Sequence, residues 1–492
     1  MMDRYLIGID QSTQGTKAMM FDREGRLLAR TDKAHAQKID HRGWVEHDPE
    51  EIYKNTIEVV RKLLEKTGIP GENIAGVGIS NQRETAVAWN RRTGKPVYNA
   101  IVWQCARGKE ICDRLQAQGL ADEIRRRSGL PLSPYFSAAK LAWIFENVDG
   151  VKKAAENGDI CCGNVDSFLI FRLTGGKEFR TDYSNASRTQ LFHLKKLSWD
   201  EKLCGCFGIP VDCLPKLTDS DGWFGETDFE GVLPRPVPVH SVLGDSHGAL
   251  LGQGCLSAGM MKATYGTGSS IMMNTGERPV FSCRGVVTSL AWKLGGKVQY
   301  VLEGNINYTG AVITWLKDQV GILEDPALSG EMAAKANPED RTCLVPAFSG
   351  LGAPYWRSDV LAAFCGMSRT TGKNELVRAG LECIAYQITD IVRLMQEESG
   401  IEKTELRVDG GPTRNQWLMQ FQSDILNSRV LVPRAEELSG IGAAYAAGLG
   451  MGFYGNEVFR NLTYTDFLPA MEDQMRREKY EGWKRAVRMV TG

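Results

Sequence analysis

Two acidic residues and two small-residue turns are the parts of this 492-residue chain best suited to chemistry. Asp10 ends an apolar run (Tyr5, Leu6, Ile7, Ile9) and is followed by Gln11-Ser12-Thr13-Gln14-Gly15-Thr16-Lys17. Backbone N–H groups and hydroxyls in such a turn can surround a polyanion, and glycine lets the main chain approach it closely. Lys17 adds a positive charge where phosphate oxygens would lie, and Asp10 could hold Mg²⁺ through water. A second turn of this kind, Gly266-Thr267-Gly268-Ser269, lies in the other half of the chain, and just before it Asp245 ends another apolar run. The stretch Leu406–Asn415 (LRVDGGPTRN) reads as a strand, a Gly-Gly turn and a helix start. That order sets a flat nucleoside against the backbone of Gly411, with Asn415 in hydrogen-bond reach. Either turn alone is equally an ordinary polar hairpin. The pair, one in each half, points to a nucleotide gripped between two lobes.

The elements that must carry these residues follow from patterning. Tyr5–Phe21 reads as a hairpin, with a third strand over Arg26–Gln37. Asp48-Pro49-Glu50-Glu51 supplies an N-cap, a proline at the first helical position and acids in the first turn of a helix running to Leu64. Ile74–Ser80 is a buried strand ending at Asn81-Gln82-Arg83-Glu84-Thr85, where open α/β sheets place their ligands. Strands are expected over Ala86–Trp89 and Ala100–Trp103, helices over 108–128 and 137–147, and between those helices a loop presenting Tyr135. In the second half, Gly304–Leu316 reads as a glycine-opened helix, Asn374–Glu397 as a long amphipathic helix, and residues 462–490 as a charged helical tail on the surface. Leu438–Asn456 is uncharged and nearly long enough to span a bilayer, but its glycines, alanines and serine fit a closely packed buried helix better.

At this length two domains are the default, and the restart of the hairpin pattern puts the boundary near residue 252, giving 1–252 and 253–492. Lys plus Arg total 59 against 60 acids, with no long basic block, which gives no support to nucleic-acid or membrane-surface binding. Twelve cysteines without zinc-type spacing, behind a start (Met1-Met2-Asp3-Arg4) that leaves no room for a secretory leader, indicate a reduced, cytoplasmic protein. No GxGxxG follows the first strand, which argues against a dehydrogenase.

From about residue 5 to about 455 the chain resembles the FGGY carbohydrate kinases. The resemblance rests on Gly43–Pro49, Asn81–Thr85 (NQRET), Tyr98–Gln104 (YNAIVWQ), Thr181–Thr189, Val345–Trp356 and Arg407–Gly411. NQRET and YNAIVWQ are the narrowest strings and resemble the glycerol-phosphorylating branch. The resemblance implies an actin-like ATPase (ribonuclease H-like) fold, two α/β domains flanking a cleft in which ATP and a small polyol meet. It implies transfer of the γ-phosphoryl group to a terminal hydroxyl, glycerol becoming sn-glycerol 3-phosphate, with Mg²⁺ as cofactor. Carried over by position, Asp245 becomes the general base and, with Asp10, a metal-facing carboxylate. Arg83, Glu84, Trp103, Tyr135, Ser246 and Ser270 line the polyol site. Thr13, Gln14, Lys17, Thr267, Gly310, Gly411 and Asn415 face the nucleotide. His247 packs or lines the cleft. The family also implies a homo-oligomer, dimer or tetramer.

Departures from the family pattern are part of the reading. Ser246 stands where a Gln is usual and Ser270 where a Phe is usual, which suggests a larger, more polar pocket fit for erythritol, threitol, xylitol or xylulose. Ser12 and Gln14 also differ from the usual first turn. A non-catalytic actin-fold ATP-binding protein is the alternative of another class, and the joint presence of Asp10, Asp245 and both turns argues against it.

Overall fold

A computed structural model describes residues 4–492; Met1–Asp3, part of the start from which a leaderless chain is expected, lie outside them. In the first lobe the strand Tyr5–Gln11 pairs antiparallel with Gly15–Phe21, Asp10 opposite Lys17, and parallel with Ile74–Asn81. Ile74–Asn81 in turn pairs parallel with Val237–Gly244. The register aligns Gln11, Asn81 and Gly244 across three neighbouring strands. Asp10, the Gln82–Thr85 turn and Asp245 therefore emerge along one edge, where parallel sheets gather ligands because backbone groups and helix starts converge there.

The second lobe repeats the plan. Met260–Tyr265 pairs antiparallel with Ser269–Gly276 and parallel with Glu405–Asp409. Its seven-stranded sheet places Lys297–Ile306 beside Ser269–Gly276. Two α/β lobes built on the same hairpin-plus-parallel-strand unit match the fold expected from the sequence. A five-stranded side sheet, with helix Ser137–Asn147 packed on it, carries Trp103 and Tyr135.

The capping signals are realised: Asp48 accepts from the Glu50 N–H at 2.9 Å, and the helix Pro49–Thr67 ends at Gly68 with φ 65°. The small-residue segment is the helix Leu438–Gly450, and it lies on the sheet of the first lobe. Its glycines let it press against the helix Asp245–Gly252: a Cβ on Gly442 would stand 1.9 Å from the Gly248 carbonyl, and one on Gly252 would stand 2.0 Å from the Leu438 carbonyl. Among the described residues no helix is long and apolar enough to cross a membrane.

Three expectations need correction. Gly304 lies inside the strand Lys297–Ile306, and the helix begins at Gly310, because the buried run Tyr300–Glu303 is held by ladders on both sides. The expected helix 108–128 is two, Lys109–Ala117 and Ala121–Ser128, broken where Gly119 takes φ 74°. The tail is not merely surface: Tyr464–Phe467 adds an edge strand, and Asp473–Thr491 buries Tyr480, Trp483, Ala486 and Val487 in the second-lobe core.

Candidate active site

Asp245 begins the helix Asp245–Gly252, directly after the strand that delivers it. Its Oδ1 accepts from the Ser246 N–H at 2.6 Å and lies 3.0 Å from Arg83 Nε. Among the described residues no donor reaches Oδ2, and the side chain is 34% exposed. One oxygen is held and the other is free to take a proton.

Arg83 and Glu84 occupy the tight turn after Asn81, with Glu84 at φ 58°. A non-glycine residue there costs on the order of 1–3 kcal/mol and persists only when its surroundings fix it. Those surroundings were not visible as a motif. Glu303, on the second-lobe strand Lys297–Ile306, accepts from Arg83 Nη1 at 2.9 Å and Nη2 at 3.0 Å. Arg188 Nε donates to Glu84 Oε1, and Arg188 Nη1 lies 3.0 Å from Glu303 Oε2. Arg83, Glu303, Arg188 and Glu84 thus form a buried series of alternating charge spanning both lobes, closed into a ring by the peptide bond between residues 83 and 84. Burial alone would raise the Glu303 carboxyl, but Arg188 and Arg83 outweigh it and hold it well below the usual range. The only sequence signal for Glu303 was an acid inside an apolar strand; Arg188 lay unassigned in the Thr181–Thr189 string.

Trp103 and Tyr135 meet edge to face with centroids 5.5 Å apart, forming one wall. Trp103 is more than apolar, since its Nε1 donates to Thr13 Oγ1 at 2.9 Å and ties that wall to the first phosphate-type turn. Ser270 Oγ donates to Glu303 Oε1 at 3.2 Å, so its hydroxyl is engaged by the ring. Ser246 sits half-buried beside Asp245. His247 is fully buried, with its Nε2 3.4 Å from Ser289 Oγ, and burial drives its pKa well below the ordinary value, so it is neutral.

At the other end, Tyr265, Gly266, Thr267, Gly310 and Gly411 line an open cavity of about 650 Å³, a size usual for small-molecule sites. The Gly310 N–H donates to the Gly266 carbonyl at 2.9 Å, and the Thr309 N–H to the Thr267 carbonyl at 2.8 Å, which docks the helix start on the second turn. Gly410 has φ 99°, and a Cβ there would stand 2.0 Å from the Tyr265 carbonyl. Asn415 is placed differently from the expectation: its Oδ1 caps the Leu418 N–H and its Nδ2 donates to Ser329 Oγ, so the amide is committed within its own lobe. Lys17 is likewise committed, to Glu437 at 2.8 Å. Gln14 is exposed at the tip of the first turn.

Between the two ends sits Asp10, buried and accepting from Ser80 Oγ at 3.0 Å. Burial pushes its carboxyl up to about 6; Lys17 pulls it down, and the charge of Asp245 adds to the rise. Among the described residues no cluster of three or more His, Cys, Asp or Glu gathers as a metal cage. Two mutually sensed carboxylates instead suit a hydrated cation shared with phosphate oxygens.

The models for the FGGY family of carbohydrate kinases match this chain with the N-terminal domain over residues 5–252 and the C-terminal domain over residues 261–451. The chain is 49% identical over 489 residues to glycerol kinase 1 of Thermotoga maritima, covering 99% of each. It is 45% identical to the glycerol kinase of Alkaliphilus metalliredigens, covering 99% of this chain and 98% of that one. Among solved structures it superposes on Plasmodium falciparum glycerol kinase with ADP at a TM-score of 0.94 and 36% identity, over 99% and 98% of the two chains.

Proposed function

The chain belongs to the FGGY family of carbohydrate kinases, and from that premise we propose that it transfers the γ-phosphoryl group of ATP to a terminal hydroxyl of glycerol. It is an ATP-dependent phosphotransferase with an alcohol acceptor. The observation that carries the chemistry is Asp245, one oxygen fixed and the other without a protein donor on a partly exposed side chain. In this reading Oδ2 takes the hydroxyl proton as the alkoxide oxygen bonds the γ-phosphorus and the bond to the β-phosphate oxygen breaks, leaving ADP. A positioned carboxylate contributes typically ~10²–10⁴-fold. Most of the remaining acceleration comes from alignment and charge stabilisation.

Each further residue has a physical task in this reading. Arg83 keeps one N–H free on each Nη after pairing with Glu303, so it can donate to acceptor hydroxyls. Glu84 accepts from a neighbouring hydroxyl, and Trp103 with Tyr135 covers the carbon chain. Thr13 and Thr267 face phosphate oxygens from opposite lobes, and Gly310 and Gly411 give the nucleoside a flat backbone floor. Asp10 and Asp245 would hold Mg²⁺ through water, the ion supplying positive charge at the β- and γ-phosphates. Lys17, tied to Glu437, is close enough to lower the Asp10 carboxyl but spends its hydrogen bond within the protein.

The larger-acceptor reading is not favoured. The Ser270 hydroxyl is engaged by Glu303 instead of being offered to an extra substrate hydroxyl. The full-length relatives named above are glycerol kinases. We also propose 1–252 and 253–492 as the two domains, the helix Leu438–Gly450 of the second covering the sheet of the first, a cytoplasmic location supported by free cysteines throughout the described residues, and a homo-oligomer on family grounds. A coupled ADP-release assay tests the central reading. Glycerol should give the highest kcat/KM in a panel with erythritol, threitol, xylitol, xylulose and dihydroxyacetone; a preference for any longer polyol sinks the acceptor assignment, and acceptor-independent turnover sinks the kinase.

A further inference from the structure

The buried ring contains one member that fits none of the roles above. Arg188 is 1% exposed, and its guanidinium is directed at two carboxylates, Glu84 and Glu303, with the Phe136 ring 5.2 Å from its Cζ. It ends a short segment that is itself bolted down. Asn185 and Asn81 exchange side-chain hydrogen bonds at 2.9 and 3.0 Å, which fixes the segment to the strand that leads into Arg83 and Glu84. Ser184 Oγ accepts from the Gly244 N–H at 3.0 Å, the residue before Asp245, and Ser187 Oγ accepts from the Leu290 N–H of the second lobe at 3.1 Å. The support under Arg188 thus reaches the polyol turn, the strand that delivers the base, and the opposite lobe.

Glu84 needs such support. Its backbone lies in the left-handed region, and Arg188 Nε bonds Oε1. Among the described residues no protein donor reaches Oε2. A carboxylate gripped on one oxygen by a rigid, permanently charged fork presents the other in a single direction. Glu303 is the anchor: it takes both Arg83 Nη donors and lies against Arg188 Nη1, so Arg188 cannot swing away from Glu84 without leaving Glu303 short of a partner.

We propose that Arg188 is a positioning residue for acceptor discrimination, aiming Glu84 at one hydroxyl of the polyol while Glu303 from the second lobe fixes its own orientation. It rests on the polyol-kinase reading above. A site built to bond a hydroxyl rejects the analogue lacking it far more strongly than an apolar wall rejects a missing methylene. That selectivity vanishes when the acceptor carboxylate loses its aim.

The test compares glycerol with its deoxy analogues propane-1,2-diol and propane-1,3-diol. Arg188→Lys keeps the charge but loses the planar fork. It should raise the KM for glycerol by about tenfold or more, leave the KM for ATP within about twofold, and shrink the preference for glycerol over the better diol by a similar factor. An unchanged glycerol-to-diol ratio, or equal shifts in both KM values, overturns the proposal. Should the lysine variant fail to fold, Arg188→Met combined with Glu84→Gln removes one buried charge of each sign. Compared with Glu84→Gln alone, this pair should lose less than about threefold more in kcat/KM, because Arg188 acts through Glu84; a further tenfold loss overturns it. If the unmodified protein ignores glycerol but phosphorylates a longer polyol, the acceptor assignment falls, and the same ratios are read with that polyol and its deoxy analogue.

Discussion

The two ends of the cleft are made of different material. The polyol end is built from side chains: four buried charges in a closed ring, an aromatic wall, and Asp245 at the edge. The nucleotide end is built from main chain: Gly266, Thr267 and Gly411 stand exposed around an open cavity, and their hydrogen bonds are backbone to backbone. Buried side-chain charge discriminates among small hydroxylated molecules because an unpaired member is costly. Exposed backbone suits a large ligand recognised by shape and phosphate charge. Substitutions at the polyol end should therefore act on acceptor and catalysis, and those at the nucleotide end on nucleotide affinity in place of acceptor choice.

The largest break is expected at Asp245. Asp245→Asn should lower kcat by ~10²–10⁴-fold with little change in ATP affinity, measured by coupled turnover and by calorimetric titration of nucleotide. Next comes Glu303→Leu, which strands two buried guanidinium groups. It should cost about 3–5 kcal/mol in unfolding free energy and raise the glycerol KM, while a variant that stays as stable as its parent would contradict the ring.

Asp10 sharpens the comparison through pH. Its folded pKa, about 6, lies above the ordinary value of 3.8, so the folded state holds its proton more tightly than the unfolded state. The ligand-free protein should lose stability as pH rises from about 4 to about 6, by roughly 3 kcal/mol in all, and show no further loss from this group above that range. Asp10→Asn should remove that slope: equal to the parent at low pH, more stable above pH 6, and inactive. A melting-temperature difference that does not vary with pH would refute this origin.

The smallest and most selective pair lies at the nucleotide floor. Gly410→Ala forces a Cβ against the Tyr265 carbonyl at positive φ and should cost about 1–3 kcal/mol of stability and weaken ATP binding. Gly411→Ala meets nothing within 4 Å and should leave melting unchanged, any effect falling on nucleotide affinity. Equal behaviour of the two glycines would mean that the floor is not shaped by backbone packing.

How far the sequence revealed this arrangement depended on chain separation. The hairpin turns, Asp245 at a strand end, the Asp48-Pro49 cap and the closely packed small-residue helix were legible because each is a local pattern. The ring was not. Glu84 and Arg188 are 104 residues apart and Arg83 and Glu303 are 220 apart, so only the folded chain joins them. The same holds for Lys17, whose partner Glu437 is 420 residues away. That distant acid turns an expected phosphate contact into a tie to the C-terminal region. In the tail a signal was present but outweighed: Tyr480, Trp483 and Val487 recur at helical spacing among many charges, and their burial shows that spacing is more informative than average polarity.

The helix Leu438–Gly450 has a consequence for how the molecule is made. Leu6, Met19, Phe21 and Ala75 of the first lobe share a core with Leu438, Ile441, Ala444 and Tyr445, which are synthesised only near the end of translation. The nascent first half therefore leaves the ribosome with one sheet face uncovered, and its glycines Gly8 and Gly78 wait for a backbone that does not yet exist. Premature termination anywhere before residue 438 leaves an apolar surface bare, so shortened products of this chain will be clients for chaperones or proteases and not free-standing half-enzymes.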